Sequence, residues 1–420
     1  MKKKVLFFGG SFDPIHSGHL AMLRKVDDVY DFDRIVIIPA GNAPLKEKHF
    51  LDGKSRKELI EVAFNEDEKL KLKVEISDFE LNRSNEYNYT YITLEELTKD
   101  KSDDYYFLIG TDQLENFHFW KEPSLIANSV KLICLNRRKV SINKNNAKKY
   151  NIAIIKDFDY SMSSSELRDF QKLDVPFDVL DLIIKKQYYW ANNLFAFLKD
   201  DKYIHSFNVA RIAMNIIKAN NYEKKIPIEK AIRAALLHDV GKYFKTQINS
   251  LDDILKLGDN DLYSPFLERY HRFPINDYNN YLSEVIKEVP KACIHAFAGE
   301  IIAKTIFAQT DKEVLEAIRY HCTGNGKMSL LSKIIYCADK VDVRIGREGS
   351  HAAFIKYKTK NNMLEKSLYV NFDQGFQLTL DSNIRYIIEK GEEIHCIYTD
   401  RMVKNYCSSD VKKLYFKINN

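Results

Sequence analysis

No stretch of this 420-residue chain stays apolar long enough to span a bilayer, so a membrane protein is not expected. Its six cysteines, Cys134, Cys293, Cys322, Cys337, Cys396 and Cys407, include no C-x-x-C pair and no compact spacing. That excludes a disulfide scaffold or a zinc knuckle and reads as reduced thiols of a cytoplasmic protein. Charge of one sign is also missing: 64 Lys and Arg stand against 59 Asp and Glu. Such a balance suits anionic small molecules without calling for nucleic acid or a membrane surface. The lysine-led start at Met1–Lys4 imitates a secretory signal, but the apolar run stops at Phe8 with no small-residue cleavage site. The length leaves room for two or three domains.

Two patterns divide the chain. Up to about Asp169, short β-rich runs (Val5–Phe8, Arg34–Ile38, Leu70–Ile76, Tyr105–Ile109, Val130–Leu135, Ile152–Ile155) alternate with helical stretches such as Ala21–Val29 and Arg56–Phe64. Alternation of this kind predicts an α/β domain with a parallel, Rossmann-like sheet covered by helices on both faces. After Pro176, apolar residues recur at three- and four-residue steps, as in His205–Val209–Ile212–Ile216, and predict an all-α second half. The junction falls near residues 172–186, giving domains 1–175 and 186–420.

In parallel sheets, ligands collect at the carboxyl ends of strands. After the first run comes Gly9-Gly10-Ser11-Phe12-Asp13-Pro14-Ile15-His16-Ser17-Gly18-His19. Glycines let backbone N–H groups approach phosphate, and the two histidines add side-chain donors to the positive start of a helix. Later strand ends contribute Lys46, Gly110-Thr111-Asp112 with Trp120 beyond, and the hydroxyl-rich cap Ser163-Ser164 followed by Arg168. Taken singly, Lys46 is a solvated charge, Trp120 a core residue and Ser163 or Ser164 an N-cap. Their joint placement favours a nucleotide site.

On these residues, together with Glu80–Leu97, the first half resembles the bacterial nicotinate-nucleotide adenylyltransferases of the nucleotidyltransferase superfamily. The resemblance implies transfer of AMP from ATP to nicotinate mononucleotide, giving deamido-NAD and pyrophosphate with Mg2+. It assigns His16, His19, Lys46 and Arg168 to the triphosphate. Asp112 would face the adenosine, Tyr89-Thr90 and Trp120 the pyridine nucleotide. Gly9, Gly10, Ser11, Phe12, Gly110, Ser163 and Ser164 complete the substrate-binding set. Asn88-Tyr89-Thr90 departs from the more usual Ser-Tyr-Thr.

The helical half carries His205, the adjacent pair His238-Asp239 followed by Val240-Gly241-Lys242, then His295, His321 and Asp339. Imidazoles mixed with carboxylates are ligands for divalent ions. Adjacent residues point roughly 100° apart on a helix, so His238 and Asp239 can share a centre only at a helix end, which Val240-Gly241 supplies. His271, His351 and His395 are read as structural.

These residues resemble the HD phosphohydrolases, and the flanks Ala317–Gly324 and Met328–Asp339 resemble the members that cut diadenosine tetraphosphate symmetrically to two ADP. The resemblance implies a dinuclear centre, of iron, held by His205, His238, Asp239, His295, His321 and Asp339 with Asp239 bridging. Water activated there would be the nucleophile, and Lys242 would neutralise phosphate charge. Two departures stand out: a long segment between Lys242 and His295, and Lys340-Val341-Asp342-Val343-Arg344 where relatives often have Ile-Glu-Pro, with Asp342 keeping the acidic position. The expectation is a cytoplasmic bifunctional enzyme. The alternatives are a helical half that senses a nucleotide without turnover, or one that hydrolyses another nucleotide.

Overall fold

The computed structural model describes residues 2–44, 49–65, 67–83, 86–137, 141–160, 163–170, 172–198, 201–242, 268–269, 271–342, 351–392 and 395–419. They form two compact units, Met1–Arg168 with Asp174–Tyr189, and Asp169–Leu173 with Trp190–Asn420.

In the first unit the apolar runs become strands buried on both faces, as Val5–Phe8, Ile35–Ile38 and Tyr105–Ile109 all are. The strands are β1 (Lys4–Gly10), β2 (Arg34–Pro39), β3 (Val74–Ile76), β4 (Asp104–Gly110), β5 (Lys131–Arg137) and β6 (Ala153–Phe158). All pair in parallel in the order β3-β2-β1-β4-β5-β6. The order reverses between β1 and β4, whose carboxyl ends therefore open the crevice where such sheets bind ligands. The glycine-rich loop leaves β1 at that point.

One expected strand is shorter than its apolar pattern. Of Leu70–Ile76 only Val74–Ile76 is extended, because Asp67 accepts the Leu70 N–H at 3.1 Å and caps a short helix, Glu68–Lys71. At the other end of the unit, the helix Phe177–Lys185 buries Val179, Leu180, Ile183 and Ile184 and packs on the helix Gly53–Ala63.

The second unit is helical in every regular element among the described residues. Five helices surround its centre: Asp201–Ala219, Ile228–Leu237, Ile294–Thr305, Lys312–Tyr320 and Leu330–Val341. Their apolar stripes set the packing; Lys312–Tyr320 buries Val314, Ala317 and Ile318, the i, i+3, i+4 face. Among the described residues no helix is long and apolar enough to cross a membrane.

Candidate active sites

At the end of β1, His16 caps the helix Ser17–Tyr30, and the two histidines lock each other. The Gly18 N–H donates to His16 Nδ1 at 3.2 Å, and the His16 N–H donates to His19 Nδ1 at 3.2 Å. A ring nitrogen that accepts carries no proton, so each neutral imidazole must hold its hydrogen on Nε2. The rings lie 3.8 Å apart and present two Nε2–H donors side by side. Backbone geometry alone thus prepares a pair of outward donors.

Beneath the loop, the buried Phe12 ring packs edge-on against Phe8 and His19, so it anchors the turn from below. Asp13 is tied on both oxygens, accepting from the Tyr189 hydroxyl at 2.6 Å and the Phe50 N–H at 2.7 Å. Burial and the neighbouring Asp13 push the Tyr189 phenol well above its ordinary range, which keeps it a donor. Arg168 donates to the Asp13 carbonyl at 2.5 Å with its guanidinium 4.4 Å from the Phe50 ring centre, and Ser164 donates to the Pro14 carbonyl at 2.8 Å. Arg168 and Ser164 therefore meet the glycine-rich loop, whereas Ser163 bonds within its own turn, to Glu166.

The remaining candidates sit on neighbouring strand ends. Gly110 opens the helix Thr111–Asn116, whose first turn carries the exposed Asp112. Trp120 is half-buried against Phe107 and Phe117. Tyr89 caps the helix Thr90–Leu97, and Thr90 is half-buried at its first turn. Lys46 lies outside the described residues.

Sequence reasoning missed the residue that joins these loops. Arg56, 2% exposed, donates to the carbonyls of Ser11 at 2.6 Å, Ala40 at 2.7 Å and Leu51 at 3.3 Å. It ties the loop after β1 to the loop after β2. Asn88 is also structural: its Oδ1 accepts the Asn42 N–H at 3.1 Å, and its own N–H donates to the Asn42 carbonyl at 2.9 Å. A Cβ on Gly41 would stand 2.2 Å from that Oδ1, so only glycine fits there. Beside these segments lies a cavity of about 970 Å³ lined by Gly41, Asn42, Phe50, Arg56 and Lys57 among others.

In the second unit, the helix Ile228–Leu237 ends at His238, and a 3-10 turn, Val240–Lys242, follows. Gly241 lets that turn close, because a Cβ there would lie 2.1 Å from the His295 carbonyl. Three histidines then use one device. Nδ1–H of His238, His295 and His321 donates to the carbonyl three residues earlier (Ala235, Ala292, Ile318) at 2.6, 2.8 and 2.7 Å. Since a carbonyl only accepts, each Nδ1 is protonated and each Nε2 is turned to the common centre. His205 is held in the same sense by a carboxylate: its Nδ1–H donates to Asp342 at 2.5 Å, which leaves Nε2 facing the same centre.

The Nε2 atoms and carboxylates converge in two groups. His205 Nε2 lies 3.2 Å from His238 Nε2 and 3.0 Å from Asp339 Oδ1. His295 and His321 meet at 3.2 Å. Asp239 spans both groups: Oδ2 is 3.4 Å from His238, and Oδ1 is 3.4 and 3.5 Å from His295 and His321. Lys242 donates to the same carboxylate. All six expected ligands are thus within one cluster.

Charge in the cluster centres on Asp239. Burial alone would raise the Asp239 carboxyl, but His238, Lys242 and the two facing imidazoles hold it well below the ordinary carboxylate range. Burial pushes His238 down to about 4, leaving a neutral imidazole. Burial also disfavours charge on His321, yet Cys322 and Asp239 raise it to about 10, so an ion bound at its Nε2 would displace a proton. With metal–nitrogen bonds of about 2.0–2.1 Å, ligands on one tetrahedral ion stand about 3.4 Å apart, close to the spacings here, so the residues fit a divalent metal.

Known proteins place both units. Residues 7–170 match the cytidylyltransferase-like family and residues 203–344 the HD domain. A Clostridium tetani protein named "Probable nicotinate-nucleotide adenylyltransferase" is 34% identical over 198 residues, 45% of this chain and 95% of that one. Its Aquifex aeolicus namesake is 37% identical over 134 residues, 31% and 76% of the two chains. A Mycoplasma genitalium protein named "Probable nicotinate-nucleotide adenylyltransferase/Ap4A hydrolase" is 24% identical over 343 residues, 81% of this chain and 88% of its own. With its paired histidines at the end of β1 in a parallel sheet and its imidazole–carboxylate cluster in a helical unit, the chain belongs to the nicotinate-nucleotide adenylyltransferase family and carries a C-terminal HD domain, of a metal-dependent hydrolase family.

Proposed function

We propose that the first unit transfers AMP from ATP to nicotinate mononucleotide, and that the second hydrolyses diadenosine tetraphosphate to two ADP at a dinuclear iron centre. The observation that carries this reading is the presence of two chemically complete clusters, each within its own unit: the paired Nε2–H donors of His16 and His19, and six metal-type ligands spanned by Asp239.

In the first reaction a phosphate oxygen of the mononucleotide bonds to the α-phosphorus of ATP in line, and the bond to the β-phosphate oxygen breaks, releasing pyrophosphate. The attacking oxygen is already anionic, so no general base is needed and the protein's work is positioning and charge stabilisation. His16 and His19 donate from Nε2 to the phosphates, with Arg168 and Lys46 adding positive charge. Backbone N–H groups of Gly9, Gly10 and Ser11 line the same loop, with Phe12 fixing its turn. Ser163 and Ser164 border the polyphosphate. Gly110 and Asp112 receive the adenosine, while Tyr89, Thr90 and the Trp120 indole hold the pyridine nucleotide. Mg2+ carried with ATP supplies further charge neutralisation.

In the second reaction water adds to a phosphorus at the middle of the tetraphosphate, one P–O–P bond breaks, and each half leaves as ADP. His205, His238 and Asp339 would hold a divalent ion on one side of the cluster, and His295 and His321 on the other, with Asp239 within reach of both groups. Divalent ions in this position lower the pKa of water toward neutrality and polarise phosphoryl oxygens. Lys242 balances charge on the phosphate, and Asp342 fixes the His205 ring.

A paired assay tests both halves: purified full-length protein is measured for deamido-NAD formation and diadenosine tetraphosphate cleavage, with metal analysis, alongside His16→Ala and Asp239→Ala. Loss of one stabilising donor lowers adenylyl transfer roughly 10²–10³-fold in His16→Ala while hydrolysis persists. Asp239→Ala shows the converse, with metal lost. Preference for nicotinamide mononucleotide overturns the acceptor, and a metal-loaded protein that cleaves no tetraphosphate overturns the second activity.

A further inference from the structure

Cys322 stands beside the metal cluster and has no part in the ligand set above. Its Sγ lies 3.3 Å from His321 Nε2 and 3.4 Å from His295 Nε2, and those two nitrogens are 3.2 Å apart. These three atoms form a triangle of nearly equal edges. For one tetrahedral ion with bonds of about 2.05 Å to nitrogen and about 2.3 Å to sulfur, such a face has edges of about 3.4 Å (N···N) and about 3.6 Å (N···S). A shift of a few tenths of an ångström seats the ion on this face. Two triangles share the His295–His321 edge, one completed by Cys322 and the other by Asp239 Oδ1 at 3.4 and 3.5 Å.

The chain builds this geometry from neighbouring positions. His321 ends the helix Lys312–Tyr320, and with its Nδ1 bound to the Ile318 carbonyl the next residue turns its side chain to the same centre. Cys293 lies just before the helix that carries His295 and is a second thiol near Cys322.

We propose that Cys322 is a thiolate ligand of the ion held by His295 and His321, which makes the two metal positions chemically unequal: one of imidazole and carboxylate, the other containing sulfur. On binding, the S–H bond gives its proton to solvent as the sulfur–metal bond forms, with no change of oxidation state. A thiolate favours thiophilic divalent ions such as Zn2+, Fe2+ or Co2+ over Mg2+ or Mn2+ at this position. The inference rests on the metal-centre reading above and is tested so that the two fail separately.

Metal-free full-length protein is titrated with Co2+ and followed by absorption. Bound cobalt gives visible ligand-field bands, which report the metal centre itself, and a near-ultraviolet thiolate-to-cobalt charge-transfer band, which reports sulfur. Cys322→Ser keeps the ligand-field bands and loses the charge-transfer band, while Cys293→Ser keeps both. Cobalt bound to the wild type without the charge-transfer band, or a band that survives Cys322→Ser, overturns the ligand assignment alone. Absence of any bound cobalt overturns the metal centre and the inference with it. X-ray absorption at the zinc edge of the zinc-loaded wild type needs no variant: a sulfur shell at about 2.3 Å supports the assignment, and nitrogen and oxygen only refutes it.

Discussion

Replacing Arg56 by methionine removes the side chain that joins the loops after β1 and β2. Its guanidinium satisfies three carbonyls, those of Ser11, Ala40 and Leu51, and is 2% exposed. Leaving a buried acceptor without a donor costs about 1–3 kcal/mol, and since these loop carbonyls belong to half-buried residues, water recovers part of it. We expect a loss of about 2–4 kcal/mol for Arg56→Met. At roughly 2–4 °C per kcal/mol for a domain of this size, the melting transition of the first unit falls by roughly 4–16 °C. Catalysis suffers more than stability, since misplacement of a phosphate-binding loop by about 1 Å costs on the order of 10²-fold in rate. Arg56→Lys separates the two effects: an ammonium retains the charge but lacks the planar fork that spans Ser11 and Ala40, so stability returns in part and turnover does not. The measurements are calorimetry and steady-state deamido-NAD formation below the lowered melting point, with metal-dependent hydrolysis as an internal control. Arg56→Met with unchanged adenylyl transfer would refute the argument, as would equal losses in both activities.

Two further outcomes test other parts of the molecule. Asp342→Asn leaves His205 in place but weakens the partner of its Nδ1, so metal affinity in a chelator competition falls about 10–100-fold; unchanged affinity would remove Asp342 from the site's support. Asp27 concerns pH: burial would raise its carboxyl, but the Phe32 N–H together with Lys73 and Lys69 outweighs that and lowers it. A depressed carboxylate contributes stability that is complete above its unfolded pKa of about 3.9 and is lost as pH falls through the lower folded value. The stability gap between wild type and Asp27→Asn, measured by urea unfolding, therefore narrows below about pH 4; a gap independent of pH would show that charge has no part in it.

Legibility of the fold followed the length of each pattern. Apolar runs such as Val5–Phe8 and Tyr105–Ile109 needed no context, since a strand buried on both faces is apolar throughout. Leu70–Ile76 misled because one local bond, Leu70 N–H to Asp67, outweighed an apolar pattern of only a few residues. Arg56 was invisible for a different reason. A charged residue on a predicted helix reads as solvated, and only the folded chain brings the Ser11 and Ala40 carbonyls to one guanidinium.

By itself the sequence determined the kinds of chemistry present: a strand, a glycine-rich turn and a histidine pair in the first half, and imidazoles with carboxylates on helices in the second. These are local or compositional signals, readable wherever they fall. Tertiary structure decided which atoms of those residues face one another. The Nε2 positions of His16 and His19 became donors because backbone N–H groups occupy Nδ1, and those of His238, His295 and His321 turn to one cluster because carbonyls occupy theirs. Asp239 came to span two groups, and Cys322 came to stand 3.3 Å from His321, through packing among helices far apart in the chain. Hydrogen-bond partners and distances of that kind depend on three-dimensional neighbours, and no spacing along the chain encodes them.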